Sequence, residues 1–143
     1  MKYHFKVHKE KTGYWAEGIE IPWAHTQGGD MEELCANMKE VLELCLEEPD
    51  KGSSFVPPLP ARAVRGRNIV EISPDPNVAL AVLVRRLRIQ NHLTQRQTAH
   101  KLGIKHFSQY QRMEKGATAN PELATLAKLK RLYPKFSVDA VLA

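Results

Sequence analysis

The sequence predicts an α+β chain in two parts, a small antiparallel sheet with one helix followed by an all-α bundle. Three observations lead there. Residues 3–8 and 14–19 alternate apolar and polar side chains with a period of two. Residues 31–46 carry one apolar stripe at helical spacing. Beyond Pro57-Pro58-Leu59-Pro60, short leucine-bearing segments open on capping residues or close on glycine.

The first strand sets Tyr3, Phe5 and Val7 against Lys2, His4, Lys6 and His8, the pattern of a half-buried strand. Lys11-Thr12-Gly13 is a hairpin turn. A second strand sets Tyr14, Ala16 and Gly18 against Trp15, Glu17 and Ile19. A third, short strand is expected between Ile21 and Gln27, after Pro22. Asp30 then caps a helix, and Glu33 completes the capping-box pattern. Its stripe is Met31, Leu34, Cys35, Met38, Val41, Leu42, Cys45 and Leu46, and Pro49 stops it. Both cysteines lie on the stripe and are expected in the core. Two cysteines are too few for a disulfide scaffold, and their spacing is not that of a zinc site. The six histidines are scattered, so neither a metal nor a cofactor is expected.

The turn chemistry of Asp50-Lys51-Gly52-Ser53-Ser54 and the prolines at 57–60 mark a linker. They divide the chain into a domain at 1–60 and a helical domain at 61–143. Ile69 to Ile72 is β-branched and reads as a short strand, before Ser73-Pro74-Asp75-Pro76. Val78 to Gln90 is a helix with Leu80, Leu83, Val84 and Leu87 inward and Arg85, Arg86 and Arg88 largely outward. These arginines suit general electrostatics or a dimer contact. Thr94 caps a second helix with Ala99 and Leu102 facing in, ended by Gly103. Lys105 to Lys115 is a third, stopped by Gly116, and Pro121 opens a fourth with Leu123, Leu126, Leu129 and Leu132 inside.

Charge follows the same division. Residues 1–60 hold six Lys and eleven Asp or Glu, a net of −5. Residues 61–143 hold fifteen Lys or Arg and five Asp or Glu, a net of +10. This suggests an acidic module joined to one that binds a polyanion. Apolar residues make up 43% and charged residues 26%, an ordinary globular composition. No run of about 18 apolar residues is present to span a membrane. Met1 to Lys11 lacks the apolar core of a signal peptide, so a cytoplasmic location is the expectation.

The most specific string runs from Leu93 to Gly116. Leu93-Thr94-Gln95, Ala99, Leu102-Gly103-Ile104, Arg112-Met113-Glu114 and Gly116 resemble the Xre or phage-repressor type of helix-turn-helix. Asn120-Pro121 followed by leucines matches the usual downstream helix. Ten residues lie between Gly103 and Glu114, one more than the commonest pattern, which lengthens the turn or the start of the third helix. Phe107, Tyr110 and Met113 recur every three residues and face the core. At about 100° per residue the opposite side centres on Ser108 and Arg112, flanked by Lys105, Gln109, Gln111 and Lys115. Arg can pair with guanine and Gln with adenine in the major groove. Gln95 and Arg96 open the second helix, where a phosphate can be held. His106, at the edge of this face, either touches phosphate or is solvated.

The first module resembles the N-terminal half of HicB-type antitoxins. The hairpin, Ile21-Pro22, Thr26-Gln27-Gly28 with Asp30, and the helix from Glu33 to Glu47 carry the likeness. It implies a partial ribonuclease-H-like domain followed by a helix-turn-helix DNA-binding domain. It also implies a partner, a small HicA-type RNA-cleaving toxin whose RNA-binding face the first module would cover. Trp15, Trp23, Glu17 and Glu20 are the candidate toxin contacts, although the two tryptophans could equally be core residues. The expected function is an antitoxin that binds operator DNA as a dimer or higher oligomer and represses its own operon, with residues 1–60 sufficient for neutralisation. The alternative is a free-standing Xre-type regulator whose α+β domain senses a ligand or mediates oligomerisation. An enzyme is not expected. Ribonuclease-H chemistry needs clustered carboxylates, whereas Asp30 and Glu33 serve as a cap and Glu17 and Glu20 have no third partner nearby.

Overall fold

The computed structural model describes residues 1–47 and 54–142 and divides into two compact units. The fold class is α+β, with a four-stranded antiparallel sheet and six helices among the described residues. The linker turn expected at Asp50-Lys51-Gly52-Ser53 and the stop at Pro49 lie outside the described residues.

The first unit comprises Met1–Leu46 and Pro57–Asp75. Strands β1 (Tyr3–Lys9), β2 (Tyr14–Gly18) and β3 (His25–Gly28) form a meander, followed by helix α1 (Met31–Leu46) and strand β4 (Ile69–Ile72). The sheet order is β3-β2-β1-β4. Gly13 takes the hairpin turn at φ 88°, a left-handed conformation that glycine adopts without steric cost. Tyr3, Phe5, Val7 and Ala16 are buried, as alternation requires. They share the core with Leu34, Met38, Leu42 and Leu46 of α1, which recur every four residues on one face. Asp30 Oδ1 accepts the Glu33 amide at 2.8 Å, and the Glu33 carboxylate accepts the Gly29 amide at 2.6 Å. Cys35 and Cys45 flank the stripe and are half-buried rather than core residues.

Two expectations change here. β4 pairs with β1 along Tyr3↔Ile72 to Lys6↔Ile69, so residues 57–75 belong to the sheet unit and the boundary falls at Asp75/Pro76, not at 60/61. A strand exposes a row of unsatisfied amides and carbonyls, and β1 offers the partner edge. The unit therefore holds eight Lys or Arg and ten Asp or Glu, a net of −2 in place of −5. His4 also departs from the alternation. It is buried on the polar side of β1, with Nδ1 at 2.6 Å from Glu20.

The second unit comprises Glu47–Val56 and Pro76–Ala143. Its helices are α2 (Pro76–Gln90), α3 (Gln95–Lys101), α4 (Phe107–Met113), α5 (Leu123–Leu132) and α6 (Val138–Leu142). Every residue from Val78 to Arg85 is buried, so α2 is the central helix. Arg85 is thus buried and not outward, and Arg88 turns in to an ion pair. The α5 stripe is also corrected. Leu129 is buried, Leu126 and Leu132 are half-buried, and Leu123 is 84% exposed. Leucines spaced by three drift about 60° per step around a helix, which leaves Leu123 about 120° from Leu129. Tyr133, Phe136 and Val141 complete the core instead.

Candidate nucleic-acid interface

The interface is built by α3, the following turn and α4. Thr94 begins α3 with a reciprocal cap: its Oγ1 accepts the Gln97 amide at 3.1 Å, and Gln97 Oε1 accepts the Thr94 amide at 2.8 Å. Ala99 and Leu102 are buried. Gly103 turns the chain at φ 66°, and the Ile104 amide donates to Ala99 at 2.9 Å. α4 begins at Phe107, two residues later than expected, so the extra length lies in the turn. Tyr110 and Met113 are buried and Phe107 is half-buried, the face that the spacing predicted.

One buried carboxylate ties these helices together. Glu114 accepts Arg88 Nε at 2.6 Å and Nη2 at 3.0 Å. It also accepts Tyr110 Oη at 2.6 Å and Gln95 Nε2 at 2.8 Å. Arg88 spends its remaining arm on the Leu93 carbonyl at 3.1 Å. The charge is thus compensated by a two-pronged guanidinium and two further donors, which is what burial of an ion demands. Burial, and then the adjacent Glu114 charge and its hydrogen bond, push the Tyr110 phenol far above its ordinary value, so it remains a donor. The side chains joined here come from α2, α3 and α4, so the angle between the two helices of the motif depends on Glu114. Sequence reading assigned Glu114 to the motif but not to this role, because none of its partners is adjacent in sequence.

The opposite side of α4 is open. Lys105, His106, Ser108, Gln109, Gln111, Arg112 and Lys115 are all exposed, as the periodicity required. Arg96 at the start of α3 lies over the Phe107 ring, 4.4 Å from its centroid, which braces the guanidinium beside α4. Gln95 differs. It is half-buried, and its amide is committed to Glu114, so it orients α3. Beside α4 a cleft of about 310 Å³ is shared by Gln109, Arg112, Thr118, Asn120 and Thr125. Polar surface therefore continues from α4 onto the start of α5. Thr118 and Asn120 escaped sequence reading because only the returning chain brings them next to Arg112. Residues 76–143 hold twelve Lys or Arg against three Asp or Glu, and Glu114 is already neutralised by Arg88.

The residues singled out in the first unit are not gathered into one surface. Trp15 is half-buried and stacks flat on His8, with centroids 3.9 Å apart. Glu17 meets His8 Nε2 at 3.1 Å. Glu20 is spent inside the fold, where it accepts the His4 ring, the His4 amide at 2.9 Å and the Ala61 amide at 3.1 Å. Burial alone would raise the Glu20 pKa, but these hydrogen bonds outweigh it and hold the carboxyl below the usual range. Trp23 is 52% exposed, and nearby Ile19 is also exposed. Among the described residues no group of three or more His, Cys, Asp or Glu could hold a metal ion. Among them no helix is long and apolar enough to cross a membrane.

Comparison with known proteins agrees with this geometry. A family model described as helix-turn-helix matches residues 84–138, so a helix-turn-helix domain is present. The match covers α3 and α4 entirely and supports a DNA-binding regulator. A "UPF0150 protein" of Thermotoga maritima is 49% identical over 39 residues, 27% of this chain and 52% of that protein. The chain thus spans about half the length of the curated relative it matches.

Proposed function

We propose that this chain, with its helix-turn-helix domain at 84–138, is a sequence-specific repressor and the antitoxin of a toxin–antitoxin pair. The observation that carries the DNA half is the exposed polar face of α4, centred on Ser108 and Arg112, on a helix pinned from behind by Glu114. Arg112 supplies a two-pronged donor for guanine, and Gln109 and Gln111 supply donor–acceptor pairs for adenine. Lys105, Lys115 and Arg96 surround them with positive charge for phosphate, and His106 adds a ring N–H at the edge of the face. Two copies reading half-sites one DNA turn apart would give a symmetric operator.

The antitoxin half rests on the HicB resemblance of the sheet unit. Its support in the structure is a strand–helix layer that offers the aromatic Trp23 at its surface with exposed Ile19 nearby, the kind of anchor that protein partners use. Glu20 is withdrawn from that surface, and Trp15 and Glu17 contribute only through the His8 cluster. The partner would be a small basic RNA-cleaving toxin, and the chain itself would carry no catalysis. Co-expression with any small basic protein encoded beside its gene tests this reading. Co-purification, with growth arrest when the neighbour is expressed alone, is the expected result. A neighbour that neither binds nor arrests growth overturns the antitoxin half. The DNA half is tested separately, with Arg112→Ala.

A further inference from the structure

We propose that the free edge of β4 pairs antiparallel with β4 of a second copy of this chain, joining two four-stranded sheets into one of eight strands. The contact lies in the first unit and is tested without DNA, so its failure leaves the DNA reading of α4 untouched.

Bond parity fixes which backbone groups the sheet leaves over. The Val7 amide donates to the Asn68 carbonyl at 2.8 Å. In an antiparallel pair the bonded residues alternate, so Val70 and Ile72 also turn their amides and carbonyls toward β1. Ile69 and Glu71 turn theirs outward. At the other edge the Gly18 amide donates to Ala24 at 2.9 Å, so Thr26 and Gly28 bond β2 and Gln27 turns outward. The two edges are treated differently. Asn37 Nδ2 donates to the Gln27 carbonyl at 2.8 Å, and just beyond it Glu33 accepts the Gly29 amide at 2.6 Å. On β4 no group among the described residues bonds the outward amides and carbonyls of Ile69 and Glu71. Such an edge is a template for another strand unless lysine, proline or a bulge guards it. β4 has none of these, and its one charge, Glu71, is held by Lys2 at 3.1 Å. Val70 shares a face with the buried Phe5 yet is itself only half-buried, so the apolar side of this edge is incompletely covered.

The occupant follows from the register. Three two-fold registers bring the outward groups of two β4 strands together. Ile69 against Ile69 would carry the pairing on to Arg67, which the left-handed turn at Asn68 (φ 60°) prevents. Glu71 against Glu71 sets like charges directly opposite, which destabilises a strand pair. Ile69 of one copy against Glu71 of the other avoids both faults. It satisfies the outward amide and carbonyl of both residues in both copies. It also brings the two Val70 side chains together at the axis, as a close non-hydrogen-bonded pair on the apolar face. The edge is thus complementary to itself, the condition for a closed two-fold contact. A second copy is also what the reading of two half-sites calls for.

The test compares Val70→Cys with Glu71→Cys in the full chain, oxidised mildly at equal concentration. Mass spectrometry of the linked peptides separates these links from any at Cys35 or Cys45. The register sets the two residues 70 about 4.5 Å apart at Cα, within reach of a disulfide, and the two residues 71 about 8–9 Å apart, out of reach. The 70–70 link is therefore expected in about tenfold excess or more over the 71–71 link. Residue 71 is the more exposed of the two, so random collision would give the opposite order. In a second measurement Glu71→Pro removes one outward amide from each copy, a change that an edge strand tolerates. It should lower the mass in sedimentation equilibrium at a given concentration, whereas Glu71→Gln should leave the mass in place. Equal or greater linkage at residue 71 overturns the proposal, as does a folded Glu71→Pro chain of unaltered mass. If the proline variant does not fold, the cysteine comparison decides alone. Absence of the 70–70 link, with the Ile69 and Glu71 amides protected from hydrogen exchange only when another protein is added, would give the edge to that protein and also overturn the proposal.

Discussion

Glu114 is the residue on which the reading helix depends. It is almost fully buried and holds four donor groups, so removing it strands Arg88 and Tyr110 inside the second unit. Breaking a buried pair from one side costs about 3–5 kcal/mol. Glu114→Ala should lower stability by that amount in denaturant unfolding followed by helical circular dichroism. Glu20 makes the corresponding prediction for the first unit, with pH as the lever. Its folded pKa is held below the usual carboxylate range, so its stabilisation is complete above the unfolded value. That stabilisation is lost as pH falls through the lower folded value. Trp15 and Trp23 both lie in this unit, so tryptophan fluorescence reports its unfolding. Glu20→Gln should remove this component of the acid-side loss, and an unaltered profile would show the His4–Glu20 pair to be inert. His92 is a third case, an exposed residue in the left-handed region at φ 55°. His92→Gly should leave the fold intact and stabilise it by up to about 1 kcal/mol, read as a rise in melting temperature.

At the scale of elements, period and caps were legible where a residue's neighbours in sequence are also its neighbours in space. The Thr94 cap, the Gly103 turn and the exposed face of α4 are local devices, and each falls where the spacing placed it. The α5 stripe differs from its sequence pattern because leucines every three residues do not stay on one face, and such a row turns steadily away from the core. This yields a paired prediction. Leu129→Ala should cost about 2–4 kcal/mol by opening a cavity, whereas Leu123→Ser should change the stability of a monomer by less than about 0.5 kcal/mol. Equal losses at both positions would contradict the observed burial. Arg85, His4 and Glu20 were illegible for another reason. A charged or polar residue on a half-buried face reads as solvated until a distant partner is known, and their surroundings are set by tertiary packing.

For the whole molecule, the misplaced boundary has the largest consequence. Pro57 to Pro60 reads as a linker, and the charge change at Arg62 reads as the start of a new domain. Yet the chain returns after the prolines to add β4 to the sheet, and on the way Tyr3 Oη donates to Pro58 at 3.0 Å and Ala61 binds Glu20. Strand pairing across more than sixty residues leaves no local signature beyond three β-branched positions around Glu71, so Ile69–Ile72 reads as a strand without its partner. A chain ended after Pro60 would leave one edge of β1 bare, expose Tyr3 and Phe5 at their β4 side, and strip Glu20 of one donor. A chain ended after Asp75 keeps all of these and the Asp75 contacts to Lys39 and to Glu43, whose carboxylate accepts the Asp75 amide at 2.8 Å. The expected outcome is cooperative unfolding by tryptophan fluorescence for residues 1–75 and a broad or absent transition for residues 1–60. Toxin neutralisation, if it resides in the sheet unit, should follow the same division. Full neutralisation by residues 1–60 would mean that β4 is dispensable for the partner surface, and that the contact lies on the β1–β2–β3 meander and α1 alone.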